Sequence, residues 1–101
     1  MTIDEPIVRL NPSELEAIRS TLGALDPSGR IYLYGSRADD NRRGGDIDIF
    51  LDASRAIDLK TALTCEYRLA GACDTKVDLL IKTPGQAEMP IHQIARRGIR
   101  L

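Results

Sequence analysis

The sequence predicts a small α/β (α+β) domain, a mixed β-sheet with helices packed mainly on one face. Three observations lead there. Two stretches, one after Asn11 and one from Ser54 to about Ala70, space their apolar residues at helical period. Three short runs, Arg30–Tyr34, Asp46–Asp52 and Lys76–Ile81, are β-rich or alternate polar with apolar residues. A chain of 101 residues holds one core, so residues 1–101 are expected to form a single domain.

The elements follow in order. Asn11 is a capping residue, Pro12 suits the first helical turn, and Glu14 can reach back as in a capping box. Leu15, Ile18, Leu22 and Leu25 then form one stripe. Asp26-Pro27-Ser28-Gly29 is a turn. Arg30–Tyr34 reads as a strand broken by Gly35-Ser36, and residues 37–45 are polar, ending in Gly44-Gly45. From Asp46 to Asp52 acids alternate with apolar residues, which is strand period. Ser54 is the expected cap of the second helix, with Leu59, Ala62, Leu63 and Tyr67 on one side. Val77, Leu79 and Ile81 share one face of a third strand. Pro84-Gly85 turns the chain, Pro90–Arg97 forms a short helix, Gly98 stops it, and Ile99–Leu101 is a tail.

Composition narrows the function. The net charge is -1 and aromatic residues are 4% of the chain, which argues against general nucleic-acid binding and against a base-stacking platform. No apolar run approaches the ~18 residues that span a bilayer. The start, MTIDEPIVRL, lacks the apolar segment of a secretory leader, so a cytoplasmic location is expected. Cys65 and Cys73, with His92 as the sole histidine, do not complete a zinc site and are read as reduced side chains in or near the core.

The informative segment is Tyr34–Asp52, YGSRADDNRRGGDIDIFLD. On a strand Asp46 and Asp48 share a face, about 7 Å apart at ~3.3 Å per residue. Like charges that close repel unless a cation lies between them. Mg²⁺ accepts one or two carboxylates plus substrate phosphates. Gly44 and Gly45 leave open space before the acids, and Gly35-Ser36 offers backbone N–H groups and a hydroxyl to a phosphate. Asp78, out of phase with Val77, Leu79 and Ile81, adds a third acid on the polar face. There is no P-loop signature, and an EF-hand loop begun at Asp39 would place Phe50 where an acid is needed.

Gly35-Ser36, Asp46-x-Asp48 and an Asp in a third strand resemble the minimal nucleotidyltransferases of the DNA polymerase β superfamily. LYGSRADDNRRGGDIDIFLD is similar to the short bacterial members, and IHQIARRGIRL to their usual ending, so the resemblance spans about residues 30–101. It implies a phosphate-binding turn at Gly35 and Ser36, with Arg37 and Gly45 beside the nucleotide. It implies Asp46, Asp48 and Asp78 as catalytic acids holding two Mg²⁺ ions, Asp78 also serving as base. The implied reaction moves a nucleoside monophosphate from ATP or another NTP to a hydroxyl. Many members place Ser before the first acid, where this chain has Gly45. Arg42 and Arg43 are read as solvated, Lys76 as a strand-edge lysine, and His92 as a surface or partly packed residue. The resemblance also implies a protein partner, a HEPN-like product of a neighbouring gene, with this chain as antitoxin, or else a homo-oligomer. A non-catalytic module that neutralises a toxin by complex formation is the alternative. The segment Met89–Leu101, with Ile91, Ile94 and Ile99 and a rim of Arg96, Arg97 and Arg100, either docks the partner or closes the core.

Overall fold

The computed structural model describes residues 10–35 and 46–101. Asn11 starts the first helix, α1 (Pro12–Leu25): its side chain accepts from the Glu14 N–H at 2.8 Å, and the Glu14 carboxylate accepts from the Asn11 N–H at 2.9 Å. Both donors would otherwise be orphans of the first turn. Strands β1 (Arg30–Tyr34) and β2 (Ile47–Asp52), helix α2 (Leu59–Cys73), strand β3 (Val77–Lys82), helix α3 (Pro90–Arg96) and strand β4 (Ile99–Arg100) follow. The tail is therefore a strand. The sheet order is β3-β2-β1-β4, with β2 and β3 parallel through the α2 crossover and the other pairs antiparallel.

Strand alternation splits the chain between two faces. Ile31, Leu33, Ile47, Ile49, Leu51 and Val77 meet Ile18 and Leu22 of α1 and Leu69 and Cys73 of α2 in the main core. On the other face Tyr32 and Phe50 pack under Ala95 of α3. The expectation of helices mainly on one face holds, with short α3 on the second.

Three local readings are corrected. Ser54 does not cap α2. Its N–H donates to Asp26 Oδ2 at 2.7 Å and its hydroxyl to Asp26 Oδ1, because that carboxylate is only 3% exposed and needs donors. Asp58 caps α2 instead, accepting from the Thr61 N–H at 2.8 Å, and the helix continues past Ala70 to Cys73. Second, the apolar side of α2 formed by Leu59, Leu63 and Tyr67 faces solvent, with Tyr67 82% exposed; Cys65, Leu69 and Cys73 form the buried face. Both cysteines are buried and unbridged, as expected. Third, His92 is buried. Its Nδ1 accepts from the Met89 N–H at 2.9 Å and its ring stacks on Phe50 at 5.7 Å, so it caps α3 from inside.

Gly98 ends α3 by close approach rather than by backbone handedness. A Cβ there would collide with the Leu33 carbonyl, where β4 turns in to pair with β1. The C-terminal segment does close the core: Ala95 is buried and Leu101 packs on the main cluster, while Ile91 and Ile94 remain exposed.

Candidate active site

The site begins at the end of β1. Gly35 has φ of +73°, a conformation that costs any other L-residue about 1–2 kcal/mol. A Cβ there would also run into the Asp48 carboxylate. The glycine therefore does two things: it bends the chain away from the strand and it lets Asp48 lie against bare backbone.

Register assembles the rest. Tyr34 pairs with Asp48 across the antiparallel β1–β2 ladder, and Asp48 pairs with Asp78 across the parallel β2–β3 ladder. The three side chains form a row on the face opposite α1 and α2. Ile47 donates to the Lys76 carbonyl at 3.0 Å, which continues the parallel pairing one step and sets Asp46 beside Lys76. Lys76 Nζ lies 3.9 Å from Asp46 Oδ2 and 3.8 Å from Asp78 Oδ1. The alternation of acids along the strand thus brings Asp46, Asp48 and Asp78 to one end of the sheet.

The electrostatics follow from this packing. Burial pushes the Asp48 carboxyl above its ordinary value, and the charges of Asp78 and then Asp46 push it further, against a smaller opposing effect of Lys76. Tyr34 is raised by burial and by the same pair, Asp48 and Asp78. Two carboxylates in register on neighbouring strands form a locus that a hard cation would relieve. Among the described residues, no three Asp, Glu, His or Cys side chains come close enough together to hold one ion. The fit is therefore to the Asp48–Asp78 pair, which with phosphate oxygens makes an ordinary Mg²⁺ environment. Asp46 is drawn toward Lys76.

Of the residues the sequence singled out, Gly35, Asp46, Asp48 and Asp78 converge. Ser36, Arg37 and Gly45, with Arg42, Arg43 and Gly44, lie outside the described residues. Tyr34 and Lys76 were not assigned to the site by the sequence. The signal for Lys76 was its i, i+2 spacing to Asp78; for Tyr34 only the register shows it. The cleft between α1 and α2, lined by Thr21, Lys60, Thr64 and Arg68 among others, opens on the helical side and takes no part in this site.

A family model described as polymerase beta, nucleotidyltransferase matches residues 16–101. The chain belongs to this nucleotidyltransferase family. A chain from the crystal structure of a mutant toxin-antitoxin MntA-HpeT is 28% identical with a TM-score of 0.71; the match covers 86% of this chain and 70% of that one. A chain from the toxin-antitoxin MntA-HepT structure is 26% identical with a TM-score of 0.66, covering 86% and 68%. No curated protein matches at a significant level. Among the described residues of this nucleotidyltransferase domain, no helix is long and apolar enough to cross a membrane.

Proposed function

We propose that this nucleotidyltransferase domain is a Mg²⁺-dependent enzyme that moves a nucleoside monophosphate, AMP from ATP, onto a hydroxyl of a partner protein, acting as the antitoxin of a two-protein pair. The observation that carries the chemistry is the in-register Asp48–Asp78 pair set against Gly35, where a Cβ would run into the Asp48 carboxylate. The likeness to chains from toxin-antitoxin structures supports the pairing.

In this reading Asp48 and Asp78 hold the ion and Asp46 completes the acidic end of the sheet. When bound, Mg²⁺ offsets the repulsion of the carboxylates and draws electron density from the phosphate oxygens. The protein contributes position. Gly35 turns the chain beside Asp48 and leaves its backbone open to the phosphates, and the family resemblance assigns Ser36, Arg37 and Gly45 to the nucleotide with it. Asp78, half-exposed at the strand end, is the carboxylate placed to take the proton of the attacking hydroxyl. The hydroxyl oxygen bonds to the α-phosphorus as the bond to the bridging oxygen breaks and pyrophosphate leaves, and holding that hydroxyl in line is worth several kcal/mol of barrier. An open sheet end cannot do this alone, so the partner supplies the opposing wall, and α3, with exposed Ile91 and Ile94, lies on the same side of the sheet as the acids.

The test is incubation with Mg²⁺, ATP labelled at the α-phosphate, and the product of the adjacent gene. Label on the partner, lost with Asp48→Asn, is the expected result. A stable complex that never acquires label would establish the non-catalytic module instead.

A further inference from the structure

We infer that Lys76 is a built-in counter-ion that makes the acidic end of the sheet a poor site for a free divalent ion and a good one for an ion arriving with a nucleotide. This rests on the reading of the acids given above and adds a positioning residue to it.

The geometry is specific. Lys76 immediately precedes β3, and its Nζ lies within 4 Å of two carboxylates on different strands, Asp46 and Asp78. Its charge also acts on the third, holding down the rise at Asp48. One ammonium group thus lies within 4 Å of two of the three acids. The contacts are exposed, the Lys76 side chain at 67%, so the group is tethered but free to leave. Exposed surface pairs of this kind add little to stability, so fold maintenance is a small part of what it does. Its larger effect is on charge count. Asp46 and Asp78 alone present -2 to an incoming ion; with Lys76 they present -1.

A free divalent ion entering this cluster meets a resident cation and must displace it from Asp46 and Asp78. An ion that carries a triphosphate brings its own negative charge, and the displaced ammonium then has a new anion to face. Lys76 therefore couples ion binding to nucleotide binding. Like-charge exclusion of the unwanted ligand and attraction of the wanted one are the two halves of such selectivity. The lysine reaches this position because the parallel register that sets Asp48 against Asp78 also sets Asp46 against Lys76.

The experiment is calorimetric titration of Mn²⁺ into the wild-type chain, Lys76→Met and Lys76→Arg, each with and without a non-hydrolysable ATP analogue. For the wild type, the analogue tightens Mn²⁺ binding by tenfold or more. Lys76→Met binds free Mn²⁺ about tenfold tighter than wild type and loses most of the coupling to nucleotide. Lys76→Arg retains the wild-type coupling. Circular dichroism of each variant reports folding separately. If Mn²⁺ binds wild type and Lys76→Met equally, or Lys76→Met weakens free-ion binding, the inference about Lys76 is overturned while the site stands. If Mn²⁺ binds none of the proteins even with nucleotide, the metal site itself fails.

Discussion

Replacing Gly35 by Ala tests the site at the atom that builds it. Two costs follow from the structure. The backbone at φ +73° is left-handed, and an L-residue there loses about 1–2 kcal/mol. The new Cβ also collides with Asp48 Oδ2, with the carboxylate carbon 3.1 Å away. Because that carboxylate is the end of a side chain, it swings aside, at about 0.5–1.5 kcal/mol for leaving its rotamer. The sum is about 1.5–3.5 kcal/mol, a fall in melting temperature of roughly 6–28 °C for a domain of this size. The two parts separate in a double-mutant cycle with Asp48→Ala, which removes the obstacle but not the φ. In that background Gly35→Ala should cost only the backbone share, leaving a coupling of about 0.5–1.5 kcal/mol. Thermal unfolding by circular dichroism on the four proteins gives the cycle. Zero coupling, or a Gly35→Ala change below about 0.5 kcal/mol, would refute the contact between glycine and acid.

The other predictions are simpler. Asp48→Asn should abolish transfer yet raise the stability of the metal-free protein by about 0.5–1 kcal/mol, since a like charge opposite Asp78 is removed; a drop in stability by chemical denaturation would make the acid structural. Asp26→Asn should destabilise by about 1–3 kcal/mol at neutral pH, because Ser54 N–H and hydroxyl both donate to the carboxylate. Burial alone would raise Asp26, but those bonds and one from the Ser28 backbone outweigh it and lower its pKa. A lowered folded pKa means this stability is present above the unfolded value of about 3.9 and is lost as pH falls through the folded one; denaturation midpoints of wild type and Asp26→Asn should converge in acid and separate above about pH 5. Tyr67→Ser should change stability by less than about 0.5 kcal/mol, as its side chain is 82% exposed; a loss above 1 kcal/mol by urea titration would show that the α2 face is covered.

What the sequence makes legible is whatever local chemistry decides. The α1 start is written in four consecutive residues, Asn11 to Glu14, and forms as read. The start of α2 is ambiguous locally, since Ser54 and Asp58 are both capping types. The choice is made by Asp26, 28 residues earlier at the end of α1, which takes the Ser54 hydroxyl. The inward face of α2 was misleading for a related reason. Size suggests Leu59, Leu63 and Tyr67 as core, yet Cys65, Leu69 and Cys73 are what fit beneath the helix. His92 sits inside because its ring stacks on Phe50 and its nitrogen caps a helix, contacts that a lone histidine in a sequence does not announce. At the site, period-2 spacing points to the acids of β2 and β3 and places Lys76 in phase with Asp78, whereas Tyr34 enters only through the register of neighbouring strands.

Two acids of β2 show why the site lies where it does. Asp48 and Asp52 share a strand and a face, four residues apart, and Phe50 lies between them. Asp52 meets Arg96 at 3.4 Å; Arg96 also holds Glu88 and lies over the Phe50 ring at 5.5 Å, and that group of contacts pins α3 to the sheet. Asp52 is thereby neutralised by an arginine in a half-buried setting and is structural. Asp48 has no arginine among its described contacts. Its neighbours are Asp78, whose charge opposes it, and a glycine that gives it room. Helix α3 covers Tyr32 and Phe50, and the acids begin where that packed cluster ends. A fold selected for stability alone would treat Asp48 as it treats Asp52, since an arginine at the β3 position of Asp78 would relieve the repulsion at no cost in packing. The sheet instead places a second acid there, with Lys76 3.8 Å from it, and the proposal of a bound cation rests on that pairing.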